Sequence, residues 1–149
     1  MMNIEVRSPE LAELKKVQQL RHAVLDPARL IETDHELGPE DFDKANIHVA
    51  AFLGEEVVGT VRLDLIENNP TVYEVRKMAV DPTIKKRGIG RRVLEAALSD
   101  AHLQGCNLVT LDAREEAIPF FERVGFKLTG DHIVHADGIP NYVMRRNLT

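Results

Sequence analysis

The chain has 149 residues, 44% of them apolar and 29% charged, with a formal net charge of −5. That size and balance predict one α/β-sized domain over residues 1–149 with a single core, and no apolar run nears the roughly 20 residues of a membrane-crossing helix. One cysteine excludes an internal disulfide and a cysteine zinc cluster, and the acidic balance argues against nucleic-acid binding through overall charge.

The opening "MMNIEVRSPE" has neither a basic nor an apolar leader region, so the expected location is cytoplasmic. "MNIEVRS" alternates as a short first strand. Ser8 is placed to cap a helix with Pro9 at its first position, where the missing N–H costs nothing. Leu11, Leu14, Val17, Leu20, Val24 and Leu25 recur at helical spacing and give that helix one apolar face. Arg21 on the same helix reads either as a snorkelling side chain or as a group facing a substrate.

The stretch 26–46, "DPARLIETDHELGPEDFDKAN", is acidic and holds both Pro and Gly. It reads as a loop with room for a short helix. Asp34, Glu36, Glu40, Asp41 and Asp43 within it would attract a cationic amine or simply solvate the loop. "IHVAAFL" and "VVGTVRLDLIE" flank the turn "GEE", and "NNP" turns the chain again into "TVYEVRKMAV". Three successive antiparallel strands are predicted.

A helix is predicted over 88–104, with Ile89, Val93, Ala96, Ala97 and Ala101 inward and Gly105 as its stop. "NLVTLDA" is the fifth strand, preceded by Cys106 as a small buried residue. Pro119 is tolerable only in a first turn, so the next helix starts near Glu115 or Glu116 and is short. Two strands around "ADG" close the chain. The order is β-α-(loop)-β-β-β-α-β-α-β-β, an α/β domain whose sheet is mixed and mostly antiparallel, flanked by helices.

Where the third of the hairpin strands hands over to the long helix, Lys85, Lys86, Arg87, Arg91 and Arg92 surround Gly88 and Gly90. A helix N-terminus presents unpaired N–H groups and about half a positive charge, a ready anion site. Glycines without Cβ atoms allow phosphate oxygens close to the backbone, and a pyrophosphate is the best fit. The Walker spacing is absent, and Val93 stands where the dinucleotide fingerprint needs a third glycine. Taken alone, the knot also fits a solvated basic turn.

The surrounding residues carry a resemblance. "MAVDPTIKKRGIGRRVLEAAL" resembles motif A of the GNAT superfamily of acyl-CoA N-acyltransferases: a strand ending in apolar-x-Val, a Pro, then Gln/Arg-x-x-Gly-x-Gly/Ala opening a helix. Lys85 stands where Gln or Arg is usual. "AIPFFERVGF" resembles the second signature, A-I-x-F-Y-E-K-x-G-F, and the element order resembles the same fold. "LRHAVL", "IHVAAFLGEEVVGTVRL" and "GIPNYVM" look more loosely like the ElaA-type subgroup.

The resemblance implies that acetyl-CoA is the co-substrate and an amine the acceptor, with no metal, no nucleic acid and no membrane, and leaves a homodimer open. It implies a pyrophosphate site made by Lys85, Lys86, Arg87, Gly88, Ile89, Gly90 and Arg91. Pantetheine would lie along Met78, Ala79 and Val80 as an added strand, beside a bulge that opens the acyl slot. The amine attacks the thioester directly with both substrates bound, and the Val80 N–H polarises the carbonyl.

Glu74 is the candidate base, acting through water; alternation places Glu74, Arg76, Met78 and Val80 on one face before any bulge. The other reading of Glu74 is a surface carboxylate paired with Arg76 or Lys77. The family's tyrosine acid is replaced by Phe121, which has no proton to give. Tyr142, Tyr73, His132, His135 or water could take its place, since a thiolate with a cysteine-like pKa near 8.5 needs little help. The alternative function is a non-catalytic acyl-CoA sensor.

Overall fold

A computed structural model describes residues 3–25, 36–84 and 86–148. The chain forms β1 (Ile4–Arg7), a 3₁₀ turn at Leu11–Glu13, α1 (Leu14–Leu25), the single-turn α2 (Pro39–Phe42), β2 (Ile47–Leu53), β3 (Glu56–Leu65) and β4 (Val72–Val80). There follow α3 (Ile89–Leu103), β5 (Leu108–Ala113), a 3₁₀ turn at Glu115–Ala117, α4 (Ile118–Arg123), β6 (Lys127–Val134) and β7 (Pro140–Asn147). The seven strands lie in one sheet in the order β1-β2-β3-β4-β5-β7-β6. Every neighbouring pair is antiparallel except β4 and β5, so the predicted mixed α/β architecture is the observed one.

Helices cover the sheet from both sides, as the near-continuous burial of β2 and β3 requires. Ile89, Val93, Leu94, Ala97, Leu98 and Ala101 line one face of α3 and pack with Val49, Val61, Leu63, Val75, Val109 and Leu111 of the sheet. The short α4 joins that side through Ile118, Phe120 and Phe121. Val17 and Leu20 of α1 pack on the opposite face, against Ala50, Phe52, Val57 and Ala79.

The entry to α1 differs from the sequence expectation. Ser8 caps nothing; the Glu10 N–H donates to Glu13 Oε1 at 2.8 Å, and Arg7 pairs with the Glu13 carboxylate at 2.7 Å. The chain therefore turns through one 3₁₀ turn before the α-helix begins, and Leu11, expected inward, is 76% exposed. Pro119 sits in the first turn of α4, where its missing N–H costs little, and Cys106 is buried, both as predicted.

Two features of β4 shape the centre of the molecule. Its pairing with β5 is confined to Val72, Tyr73 and Glu74, opposite Leu108, Val109 and Thr110. Beyond Glu74 and Thr110 the two strands separate. On its other edge the register with β3 slips: Arg62 stands opposite Arg76, whereas Thr60 stands opposite Ala79. One extra residue is accommodated in β4, and Lys77 takes a positive φ of 51° there, a β-bulge that bends the strand away from its neighbour.

Candidate active site

The bulge redistributes the predicted site residues between the two faces. Glu74 and Arg76 stand opposite Asp64 and Arg62 and share their face, the one α1 covers. After the extra residue the parity inverts: Ala79 packs with the α1 cluster, while Met78 and Val80 pack against the core under α3 and α4. The expectation that Glu74, Arg76, Met78 and Val80 share a face is thus corrected. A single inserted residue flips every side chain beyond it.

The main chain at the end of β4 is aimed into the opening. The Asp81 N–H donates to the Val58 carbonyl at 2.9 Å, so strand alternation turns the preceding Val80 N–H away from β3. That side is where β5 has departed. Val80 thus offers a backbone donor to whatever fills the gap.

The knot folds as a tight entry to α3. Gly88 is the N-cap residue with φ 62° and ψ 33°, a left-handed conformation that favours glycine, and a Cβ there would meet nothing within 4 Å. Gly90 serves a different purpose from the one expected. Its missing Cβ faces side chains, Phe120 Cζ at 3.3 Å and Met78 Cε at 3.4 Å, so it lets α3, α4 and β4 close together rather than clearing space for an anion.

Ile89 is buried in the core. Lys86 and Arg91 are exposed, Arg87 is half-buried, and Arg92 is turned away, donating to the Ile4 carbonyl at 3.0 Å. Lys85 lies outside the described residues, as does Asp34.

The profile described as "Acetyltransferase (GNAT) family" matches residues 13–126. The chain belongs to the GNAT acetyltransferase family. It is 28% identical over 154 aligned residues to the N-alpha-acetyltransferase RimI of Mycobacterium tuberculosis, covering 98% of this chain and 97% of that one. It is 35% identical over 107 residues to an uncharacterised Mycobacterium leprae protein, covering 68% of this chain but only 29% of that longer protein. Among solved structures, Escherichia coli ElaA superposes with a TM-score of 0.80 at 19% identity, covering 98% of this chain and 99% of its own. An aminoglycoside 6'-N-acetyltransferase complexed with coenzyme A superposes at 0.82 with 18% identity, covering 99% and 98%.

Within this GNAT fold, Glu74 is half-exposed and its Oε1 accepts from Arg76 Nη1 at 2.9 Å, the pairing that the surface reading anticipated. Phe121 is wedged edge-on between Phe120, 5.1 Å away, and Phe126, 5.9 Å away. Tyr73 is buried and its hydroxyl donates to the Ala45 carbonyl at 3.0 Å. Tyr142 stands beside His132, their rings 6.4 Å apart.

Two clusters on the α1 side of the sheet were not foreseen. Arg21, read as snorkelling or as facing a substrate, is fully buried, and its Nη2 lies 2.9 Å from Asp41 Oδ1. The same oxygen accepts from Arg62 at 2.8 Å, and Arg62 continues to Asp64. Asp41 therefore ties α2 to α1 and β3 instead of solvating its loop. Burial pushes its carboxyl up, but hydrogen bonds from Arg21 and the Gly38 N–H outweigh that and bring it to about 2. His48, 3.2 Å from Arg21, is pushed down to about 4, chiefly by burial and then by the Arg21 charge. A strand buried on both faces leaves Arg62 no route to water, which is the signal that an acidic partner had to exist.

The second cluster joins β5 to the β6–β7 turn. Asp112 Oδ2 lies 2.9 Å from His135 Nε2 and accepts from Asn141 Nδ2 at 3.1 Å. Arg114 and Asp137 pair at 2.5 Å beside it. Among the described residues no group of His, Cys, Asp and Glu has the arrangement of a metal site, and no helix is long and apolar enough to cross a membrane.

Proposed function

We propose that this GNAT chain transfers an acetyl group from acetyl-CoA to a primary amine, of a small molecule or a protein, by direct attack with both substrates bound. The observation that carries the reading is the gap where β4 leaves β5, with a Val80 N–H that no described residue pairs on its wall and the α3 N-terminus at its end. Pantetheine would add to β4 at Met78, Ala79 and Val80; Ala79 would contribute its backbone alone, since its side chain is buried under α1. The pyrophosphate would rest on the N–H groups of 87–91, with Lys85, Lys86 and Arg91 adding positive charge.

In the reaction the amine nitrogen bonds to the thioester carbon, the C–S bond then breaks to release the thiol, and the carbonyl oxygen accepts a hydrogen bond from the Val80 N–H. Glu74 would draw the first proton from the ammonium through water. The relationship to an N-alpha-acetyltransferase and to an aminoglycoside acetyltransferase supports an amine acceptor and leaves its size open. The protein would act in the cytoplasm as a single domain over 1–149.

The test is thiol release from acetyl-CoA across a panel of small amines, aminoglycosides and peptide N-termini, with thermal stability measured alongside. At about 100 times its dissociation constant a ligand raises stability by roughly 2.7 kcal/mol, so saturating coenzyme A should raise the melting temperature. No shift would defeat the reading. A shift without turnover on any amine favours the sensor alternative, which Phe121 motivates by lacking a proton to donate.

A further inference from the structure

We propose that His135, oriented by Asp112, carries a proton from the attacking amine to the departing sulfur. This inference rests on the acetyl-transfer reading above. Asp112 is two residues beyond Thr110, the last residue of β5 paired with β4, so it stands on the β5 wall where the strands part. Val109, Leu111 and Ala113 point into the core under α3; Thr110 and Asp112 therefore point to the other face, as Glu74 does. The α3 N-terminus, Met78, Val80 and Phe121 belong to the first face. A donor entering from the α3 side and an acceptor entering from the α1 side would meet in the gap, with the Asp112 cluster on the acceptor's side.

The β6–β7 turn is built against this wall at two points. His135 Nε2 sits 2.9 Å from Asp112 Oδ2, with Asn141 bracing the same oxygen at 3.1 Å. Arg114 then pairs with Asp137, whose other oxygen accepts the Ile139 N–H at 2.9 Å. Burial raises the Asp112 carboxyl, but the bonds from His135 and Asn141 outweigh it and hold it below the usual aspartate value.

A carboxylate can only accept, so Nε2 must carry the hydrogen, and the lone pair of the neutral ring lies on Nδ1. Nδ1 makes no hydrogen bond among the described residues, and the side chain is 47% exposed. The charged groups around the ring are Asp112, Asp137 and Arg114.

The proton balance explains why such a group is needed. A neutral amine that attacks the thioester carries one proton too many once the C–N bond forms, and the sulfur leaves one short. Nitrogen and sulfur are then bonded to the same carbon, so one imidazole nitrogen can serve both. Nδ1 takes the proton from nitrogen, Asp112 stabilises the imidazolium, and Nδ1 returns the proton to sulfur as the C–S bond breaks. The ring ends neutral, and the products are an amide and a thiol. The hydroxyl that Phe121 lacks is then not required.

The experiment uses the whole chain and the best acceptor of the amine panel. His135→Gln is expected to lower kcat by about 10²-fold or more, with the thermal shift by coenzyme A and the KM for acetyl-CoA unchanged. Added imidazole should restore part of the kcat of His135→Ala. Asp112→Asn, which can donate to the ring and favour the wrong tautomer, should lower kcat and displace the pH–rate profile, a readout that a purely structural brace would not move. A His135→Gln kcat within about threefold of wild type, far under the usual acid–base contribution, overturns the inference while leaving acetyl transfer intact. A variant that changes KM alone, or an Asp112→Asn profile identical to wild type, also overturns it. If wild type binds coenzyme A but transfers to no amine, the reading and this inference fall together.

Discussion

Phe121 occupies the one signature position at which side-chain chemistry departs outright from the family pattern, and its ring is held edge-on by Phe120 and Phe126. A hydroxyl added to that ring tests whether the missing acid matters. If water or another side chain already protonates the thiolate, Phe121→Tyr should change turnover by less than about tenfold, below the usual range of acid catalysis. Glu74→Gln, assayed in parallel, should lower turnover at neutral pH, since an amide cannot accept the ammonium proton. An inert wild type that Phe121→Tyr switches on would replace the enzyme with a sensor. The signature position itself was plain in the sequence because "AIPFFERVGF" is a local pattern. The Arg21–Asp41–Arg62 cluster was not: its members are 20 and 21 residues apart in the chain, and only the fold shows that both arginines lose their water.

At the scale of elements, local signals were legible and long-range geometry was not. Strand alternation, the glycine at the start of α3 and the proline of α4 each act within a few residues, and each predicted its element correctly. The bulge depends on how β4 meets β3, and Lys77 has no residue-type mark of the left-handed backbone it adopts. The α3 entry supplies the prediction at this scale. Gly90→Glu should abolish coenzyme A binding, by forcing a bulky charged side chain into the packed seam under the first turn of α3 and so displacing the N–H groups that would hold a phosphate. It should push against Phe120 and Met78, which a Cβ already approaches to 3.3 and 3.4 Å. Far-UV circular dichroism must show that the variant folds, and the coenzyme-induced thermal shift is then the readout. A folded variant that keeps its affinity would move the pyrophosphate away from α3.

The whole molecule should respond to acid through the cluster that joins α1, α2, β2 and β3. His48 is held at about 4 against an ordinary 6.5, and Asp41 at about 2 against 3.8. Both folded values lie below the unfolded ones, so in each case the unfolded chain binds the extra proton and stability falls as pH falls. For His48 the loss runs from roughly pH 6.5 to pH 4, with a slope of up to about 1.4 kcal/mol per pH unit. For Asp41 it runs from roughly pH 4 to pH 2, and totals about 2 kcal/mol. Urea denaturation at pH 7, 5 and 3 should show both windows. Replacing His48 by Gln should flatten the upper one, because a neutral amide takes up no proton on unfolding. Replacing Asp41 by Ala should cost about 3–5 kcal/mol at pH 7, the usual consequence of leaving buried charge without its partner. Arg21 would then have neither Asp41 nor water, its Nε and Nη1 already lacking hydrogen-bond partners among the described residues. Equal stability of wild type and Asp41→Ala at pH 7 would mean that the two arginines find other anions, and that the cluster does not fasten α2 to the sheet.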